Sequence, residues 1–178
     1  MTDRYTPTAI TLHWLIALLI FVAFPLGIYM HDLPLSPDKL RLYSYHKWIG
    51  VTVFMLAAIR AYWRATHLPP AMPDTMPNWE KFAAHATHYA LYALIFIIPI
   101  SGWLMSSAKG FQTVWFGVLP LPDLLDKDKE LGDLLLEVHK LLNFLLFGLV
   151  LAHVGAALKH HFIERDDILA RMVTFLRK

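Results

Sequence analysis

Three histidines in one long apolar stretch, residues 131–161, have the types and spacing that could carry chemistry: His139, His153 and His160. On an α-helix the 14-residue step from His139 to His153 is about 1400°, within about 40° of whole turns, so both imidazoles share one face. The two positions are about 21 Å apart along the axis, out of about 30 Å for the hydrocarbon core of a bilayer. This spacing predicts two separate sites, one near each side of a membrane.

The composition favours a membrane protein and narrows the chemistry that the chain can support. Of 178 residues, 57% are hydrophobic and only 17% are charged. The absence of cysteine excludes disulfides, thiolate-bound iron–sulfur clusters, thioether-attached haem and a thiolate nucleophile, which leaves ten histidines as metal or haem ligands. The formal net charge of +2, with basic residues scattered along the chain, gives no support for nucleic-acid binding.

The apolar pattern predicts an all-α protein: a single-domain, integral-membrane four-helix bundle over residues 1–178. The four predicted spans cover about 10–30, 45–66, 85–107 and 134–160. No small-residue cleavage site follows the first span, so it is predicted to be a retained membrane helix instead of a signal peptide. Beyond the fourth span, apolar residues alternate with Arg171, Arg177 and Lys178, which predicts a short amphipathic C-terminal helix on the membrane surface.

Four spans place both termini on one side of the membrane, and the basic residues favour the cytoplasm for them. The nine basic residues predicted inside are Arg4, Arg60, Arg64, Lys81, Lys159, Arg165, Arg171, Arg177 and Lys178. The seven predicted outside are Lys39, Arg41, Lys47, Lys109, Lys127, Lys129 and Lys140. We therefore expect a multi-pass membrane protein with both termini in the cytoplasm.

Depth in the membrane then decides which histidines can face one another. With the N-terminus inside, His13 and His153 lie near the cytoplasmic ends of the first and fourth spans, whereas His46 and His139 lie near the outer face on the second and fourth. A b-type haem needs two facing imidazoles and no covalent attachment, and helix bundles commonly build cofactor sites from facing helices. The matched depths therefore predict two haem b sites.

Other readings of these residues stay open at this point. His85 and His88, at the cytoplasmic start of the third span, rival His13 as the partner of His153, and spacing alone does not choose between them. Each histidine could instead be an interfacial or hydrogen-bonded residue of the bundle. Small residues near the histidines could leave room for a macrocycle or simply allow close helix packing; these are Gly50, Gly148, Ala152, Ala156 and Ala157.

An ordered set of short motifs, spread over essentially the whole chain, resembles the bacterial cytochrome b561 family. The motifs are Leu12-His13-Trp14, Tyr45-His46, Ala84-His85-Ala86-Thr87-His88, Glu137-Val138-His139, Leu151-Ala152-His153 and His160-His161. No single motif is specific, and the resemblance lies in their order, together with the chain length and loop lengths.

The resemblance implies a four-helix di-haem protein of the inner membrane that is linked to quinone. It assigns the inner haem iron to His13 with His153 and the outer haem iron to His46 with His139. It leaves the other two histidines of the third span as residues beside the haem or the substrate. The chain is most similar in pattern to the members that act as superoxide oxidases, which pass electrons from superoxide to ubiquinone.

Two substrate sites follow as hypotheses. His160 is seven residues beyond His153, within about 20° of the same stripe and about 10 Å further toward the cytoplasm, so it is a candidate to hydrogen-bond ubiquinone. His88 is a second candidate. On the outer side, Lys47 and Lys140 belong to a basic set that could guide superoxide, although these residues could instead be interfacial or partners of haem propionates. The set is Lys39, Arg41, Lys47, Lys109 and Lys140.

Two alternatives to a superoxide:ubiquinone oxidoreductase remain. One is a quinone-linked cytochrome of the same family with another periplasmic redox partner. The other, of a different class, is a haem-free, histidine-rich membrane transporter or anchor. The sequence identifies no protein partner, and membrane lipid is the environment that its apolar runs imply.

Overall fold

Four long helices make up most of the protein in a computed structural model that describes residues 4–176. The elements are α1 (Pro7–Asp32), α2 (Pro37–Thr66), α3 (Asn78–Ala108), a hairpin of β1 (Val114–Trp115) with β2 (Leu119–Pro120), and α4 (Lys129–Lys159). This architecture confirms the all-α, four-helix prediction. Whether the termini face the cytoplasm stays a prediction.

The helices begin before the apolar runs because polar caps set their first turns. Thr6 accepts a hydrogen bond from the Ala9 N–H (3.3 Å), and Pro7 follows it at the first helical position. Asp128 caps α4 by accepting from the Leu131 N–H (3.0 Å), so α4 starts at Lys129, ahead of the predicted span. The connections between helices are correspondingly shorter than the sequence predicts.

Three of the helices, α1, α3 and α4, are long and apolar enough to cross a membrane. Helix α2 has 30 residues, enough for about 45 Å, but its charged residues lower its hydropathy. It packs against both α1 and α3, while α3 packs extensively against α4. A spanning α2 is thus compatible with its length and neighbours, since its polar side chains can face protein instead of lipid.

The outer surface of the bundle is strongly apolar. Leu18, Phe144 and Leu151 leave well over half of their surface exposed. Buried positions are fewer and include small residues such as Ala57, which is fully buried. Helices that expose large apolar side chains and approach one another through small ones are typical of bundles in lipid.

The connection between α3 and α4 is more ordered than the predicted long loop. Phe116 and Gly117 both have positive φ angles (49° and 72°), which let the chain reverse within the short hairpin. The hairpin lies against α2, because the Trp48 indole N–H donates to the Val114 carbonyl (2.7 Å) and the Trp115 indole N–H donates to Thr52 (3.3 Å). Trp115 is half-buried against that helix.

The tail does not form the single amphipathic helix that the sequence predicts. After α4 the chain makes a π-helical turn, His160–Glu164, and then two short 3-10 turns. Arg165 takes the left-handed conformation (φ 56°), which ends the helix. A hydrogen bond then holds the tail to α1, from the Trp14 indole N–H to the Met172 carbonyl (2.9 Å). Arg177 and Lys178 lie outside the described residues.

Candidate functional site

The structure brings the imidazoles of His46 on α2 and His139 on α4 close together. Their ring centroids are 6.3 Å apart and their planes are nearly perpendicular, at 82°. A metal–imidazole bond of about 2 Å, with about 1 Å from that nitrogen to the ring centre, would separate two imidazoles that hold one metal between them by about 6 Å. The spacing of this outer pair therefore fits one metal ion between the rings.

A serine on α3 determines which ring nitrogen of His139 carries the proton. The Ser101 hydroxyl donates to the Ile98 carbonyl (2.8 Å), so its oxygen is left to accept from Nδ1–H of His139 at 2.9 Å. This bond places the proton on Nδ1 and leaves Nε2 as the metal-binding nitrogen, as is usual for histidine ligands. Ser101 is not among the site residues that the sequence predicts.

A glycine on a neighbouring helix lies behind each ring of the outer pair. A Cβ at Gly102 of α3 would lie 3.1 Å from Cε1 of His139, and a Cβ at Gly27 of α1 would lie 3.2 Å from Cε1 of His46. An alanine would therefore crowd either imidazole. Glycine inside a helix costs about 1 kcal/mol relative to alanine, which is the one sequence signal that could have identified these positions.

A cavity of about 300 Å³ opens beside the outer pair, in the size range of small-molecule and cofactor pockets. Gly50, one turn after His46 on α2, contributes to its wall without any side chain. Nδ1 of His46 is buried and lacks a hydrogen-bond partner within residues 4–176. Facing imidazoles, space between helices and backing glycines together fit a haem held by two histidines.

The inner half of the bundle contains three neighbouring imidazoles. The ring centroids of His13 and His153 are 6.3 Å apart, with an angle of 63° between the planes. His88 lies closer to His153, at 5.3 Å. Two imidazoles on one metal need ring centroids about 6 Å apart, so the spacing of His13 from His153 fits a shared metal better than the spacing of His88 does. The third-span His85 is exposed and makes no such ring contact in the described chain.

Two arginines of α2 lie near the inner pair. The Arg60 guanidinium donates to the Tyr92 hydroxyl (3.0 Å) and to the Ala9 carbonyl (2.9 Å), which is one turn before His13. Arg64 lies over the Tyr92 ring at 5.8 Å. Neither arginine pairs with a carboxylate in the part of the chain that the structure describes. Such charges suit the propionate groups of a haem.

An ionic cluster surrounds His160 where α4 ends. Nδ1 of His160 lies 2.7 Å from a carboxylate oxygen of Asp166 and also contacts Glu164. Lys159 bridges Glu164 (2.6 Å) and Glu80 of α3 (2.7 Å). Although Glu80, His160 and Glu164 could together ligate a metal ion, the Lys159 ammonium already forms ion pairs with both glutamates.

The basic residues predicted to guide superoxide all have protein partners. The Lys47 ammonium donates to the Phe111 carbonyl (2.8 Å), and Lys140 pairs with Glu137 (2.9 Å). The remaining three bind backbone carbonyls or acids: Lys39 with His31 and Leu33, Arg41 with Asp38, and Lys109 with Asp133. Of the five, Lys47 and Lys140 line the outer cavity.

Known proteins with similar sequences support a haem-binding interpretation. The profile of a family described as prokaryotic cytochrome b561 matches residues 4–175. Cytochrome b561 homolog 2 of Escherichia coli (strain K12) is 35% identical over 172 residues, which cover 96% of this chain and 92% of the relative. Cytochrome b561 homolog 1 of the same strain is 27% identical, with 96% of this chain and 97% of the relative covered.

A third relative is described as the probable superoxide oxidase CybB of Yersinia pestis. It is 28% identical over 184 residues, with 97% of each chain covered. The family match extends over nearly the whole chain, and it agrees with the apolar helices and the paired imidazoles. The chain belongs to the prokaryotic cytochrome b561 family, whose members are membrane proteins that bind haem b and transfer electrons.

Proposed function

We propose that this protein is a di-haem cytochrome of the bacterial inner membrane that transfers electrons from periplasmic superoxide to ubiquinone. The observation that carries the proposal is the pair of facing imidazoles at each of two depths, both with ring centroids 6.3 Å apart. The probable superoxide oxidase among the relatives supports superoxide as the electron donor. In the overall reaction, two superoxide anions and one ubiquinone take up two protons and yield two O₂ and one ubiquinol.

The four proposed ligands form two pairs, one for each haem. His46 and His139 would hold the outer haem, and His13 and His153 the inner one. A haem with two imidazole ligands supplies reversible one-electron exchange and has no open position for oxygen chemistry. Ser101 holds the His139 ring through Nδ1, and the apolar helix surfaces keep bulk water away from both pairs.

On the outer side, Lys47 and Lys140 line the cavity beside the first haem site. Their positive charge would raise the local concentration of superoxide, a small anion, in a salt-dependent way. Both ammonium groups are partly engaged by the protein, so we expect them to affect the rate of encounter more than the electron transfer itself.

On the inner side, His160 is the leading candidate for hydrogen-bonding a ubiquinone oxygen, and His88 is the second. Within residues 4–176, Nε2 of His160 has no hydrogen-bond partner, while its Nδ1 faces carboxylates. His88 stands 5.3 Å from His153 and would act closer to the inner haem. His160→Gln should lower the rate of quinone reduction while both haems stay bound; an unchanged rate would remove His160 from the quinone site.

Haem stoichiometry tests the central assignment. The purified protein should contain two haems per chain, and alanine substitution of any one of His13, His46, His139 and His153 should remove one of them. His85→Ala is a matched control, because that imidazole is exposed, and it should retain both haems. A wild-type protein with one haem, or with none, would contradict the proposal, and the latter result would favour the haem-free transporter or anchor.

A second candidate function is a quinone-linked cytochrome with another periplasmic redox partner. What favours it is the 35% identical relative, which is named only as a cytochrome b561 homolog and exceeds the identity of the superoxide oxidase relative. Stopped-flow mixing with superoxide distinguishes the two functions. Haem reduction at near-diffusional rates supports superoxide as the donor, and slow or absent reduction supports another partner.

A further inference from the structure

We propose that Asp166 is a positioning residue for His160: it accepts a hydrogen bond from Nδ1–H and thereby makes Nε2 the atom that exchanges a proton with the quinone. This inference rests on the proposed function, in which ubiquinone binds beside His160. It concerns the segment after α4, where the sequence predicts only an amphipathic surface helix.

The backbone returns Asp166 to His160 by a defined turn. The π-helical turn that begins at His160 ends at Arg165, whose left-handed conformation reverses the chain. The N–H groups of Arg165 and Asp166 both donate to the His160 carbonyl, the latter at 3.2 Å. Few residues other than glycine adopt a positive φ, so this reversal is a specific feature of the turn.

Both oxygens of the Asp166 carboxylate are engaged. Oδ2 lies 2.7 Å from Nδ1 of His160, and Oδ1 accepts from the Ile168 N–H at 3.0 Å. The two side chains are 12% (His160) and 25% (Asp166) exposed, so water competes only weakly for this bond. The carboxylate is therefore oriented toward the imidazole by the turn itself.

The other charged groups around His160 form one ion-paired set. Glu164 also contacts Nδ1, but Lys159 pairs with it and with Glu80 of α3. Asp166 has no cationic partner except His160 among the described residues. Of the two carboxylates at Nδ1, Asp166 is the one that is hydrogen-bonded to it in the described chain, whereas Glu164 is also ion-paired with Lys159.

The proton balance explains why the partner of Nδ1 matters. When ubiquinone takes up two electrons and two protons, each proton forms a new O–H bond on the quinone. His160 can supply one by breaking its Nε2–H bond, because the second ring proton stays on Nδ1 against Asp166; water at the cytoplasmic end then reprotonates Nε2. A ring whose Nδ1 carries no proton cannot do this without becoming an imidazolate.

Asp166→Asn tests the assignment, with Asp167→Asn as the matched control. The carbonyl of the substituted amide can still accept from the Ile168 N–H, but its NH₂ group would donate to Nδ1 of His160 and favour the wrong tautomer. Asp167 is exposed, and its side chain makes no hydrogen bond in the described part of the chain, so its substitution removes the same charge one residue away. We expect Asp166→Asn to lower kcat for quinone reduction about 10–100-fold, as loss of a histidine's supporting partner does elsewhere.

Failure of this inference about Asp166 can be distinguished from failure of the proposed quinone site at His160. KM for ubiquinone should change less than kcat, and the pH profile of kcat should change in Asp166→Asn but not in Asp167→Asn, whereas Asp166→Glu should recover part of the rate. Equal kcat values and pH profiles in Asp166→Asn and Asp167→Asn, with His160→Gln still impaired, would overturn the inference alone. Unimpaired His160→Gln would instead refute the quinone site on which it rests.

A variant that loses haem would not leave the question open. Should Asp166→Asn fail to bind two haems, Asp166→Ser replaces it, because a serine hydroxyl can still accept from the Ile168 N–H but is too short to reach the imidazole. The same reduction in kcat is then expected, and wild-type kinetics of haem-loaded Asp166→Ser would overturn the inference.

Discussion

Gly102→Ala should selectively weaken the outer haem site. The new methyl group would lie 3.1 Å from Cε1 of His139, tighter than ordinary van der Waals contact, and 3.4 Å from its Nδ1. The imidazole cannot simply rotate away, because Ser101 holds its Nδ1 at 2.9 Å. The ring must therefore move by a few tenths of an ångström, together with the nitrogen that would bind iron.

The size of the effect follows from how strictly metal sites constrain their ligands. Distances within about 0.2 Å of ideal are needed, so a displacement of a few tenths of an ångström exceeds the tolerance. Changes to groups that orient a histidine ligand typically cost about 10–100-fold in affinity, equivalent to about 1.4–2.7 kcal/mol. Alanine should meanwhile favour the helix by about 1 kcal/mol, so lost haem could not be attributed to a weaker α3.

The assay is haem content per chain, with a redox titration to identify which haem remains. We expect Gly102→Ala to retain the inner haem with unchanged midpoint potential and to lose much of the outer one after dilution or washing. Gly155→Ala on α4 is the matched control, since a Cβ there meets no atom within 4 Å. Two tightly bound haems in Gly102→Ala would refute the proposed place of His139 as a ligand.

Three further predictions concern the outer site and the topology. Ser101→Ala removes the acceptor for the Nδ1 proton of the α4 histidine and should lower outer-haem affinity about tenfold, measured by haem transfer to an apo-globin acceptor. Neutralising Lys47 and Lys140 together to Gln should slow superoxide turnover at low salt and have little effect at high salt; equal low-salt rates would exclude guidance by these charges. Because the chain has no cysteine, Asp74→Cys should react with an impermeant maleimide only from the cytoplasmic side and Asp126→Cys only from the periplasmic side, and the reverse pattern would invert the topology.

Helical periodicity was sufficient to align the histidines of α4. The step from His139 to His153 predicts one shared face, and α4 is regular over that range, so each of the two rings meets an imidazole from another helix. Matching depth also predicts that the outer partner lies on α2, but it leaves α1 and α3 open for the inner partner, which only the family resemblance assigns to His13. These relations depend on helix geometry and span order, which a sequence expresses directly.

The supporting groups could not be predicted in the same way. Gly27 and Gly102 approach their histidines across helix interfaces, and the crossing of two helices is decided by packing over their whole length. The tail also differed from its prediction, because alternating apolar and basic residues fit a helix, whereas Arg165 reverses the chain and Trp14 binds the segment beyond it. The local sequence pattern predicts neither kind of tertiary contact.

Helix α3 supports both proposed haem sites although it supplies none of the four proposed ligands. At the outer level it contributes Ser101 and Gly102, which bond to and closely back one imidazole. At the inner level it contributes His88 beside His153, and near its start Glu80 reaches the cluster around the end of α4. Because α3 also packs extensively on α4, which carries one imidazole of each pair, a shift of α3 would displace both sites together. Substitutions that shift α3 as a whole should therefore alter the properties of both haems without removing a ligand, whereas substitutions of the ligands on α1 or α2 should affect one haem each.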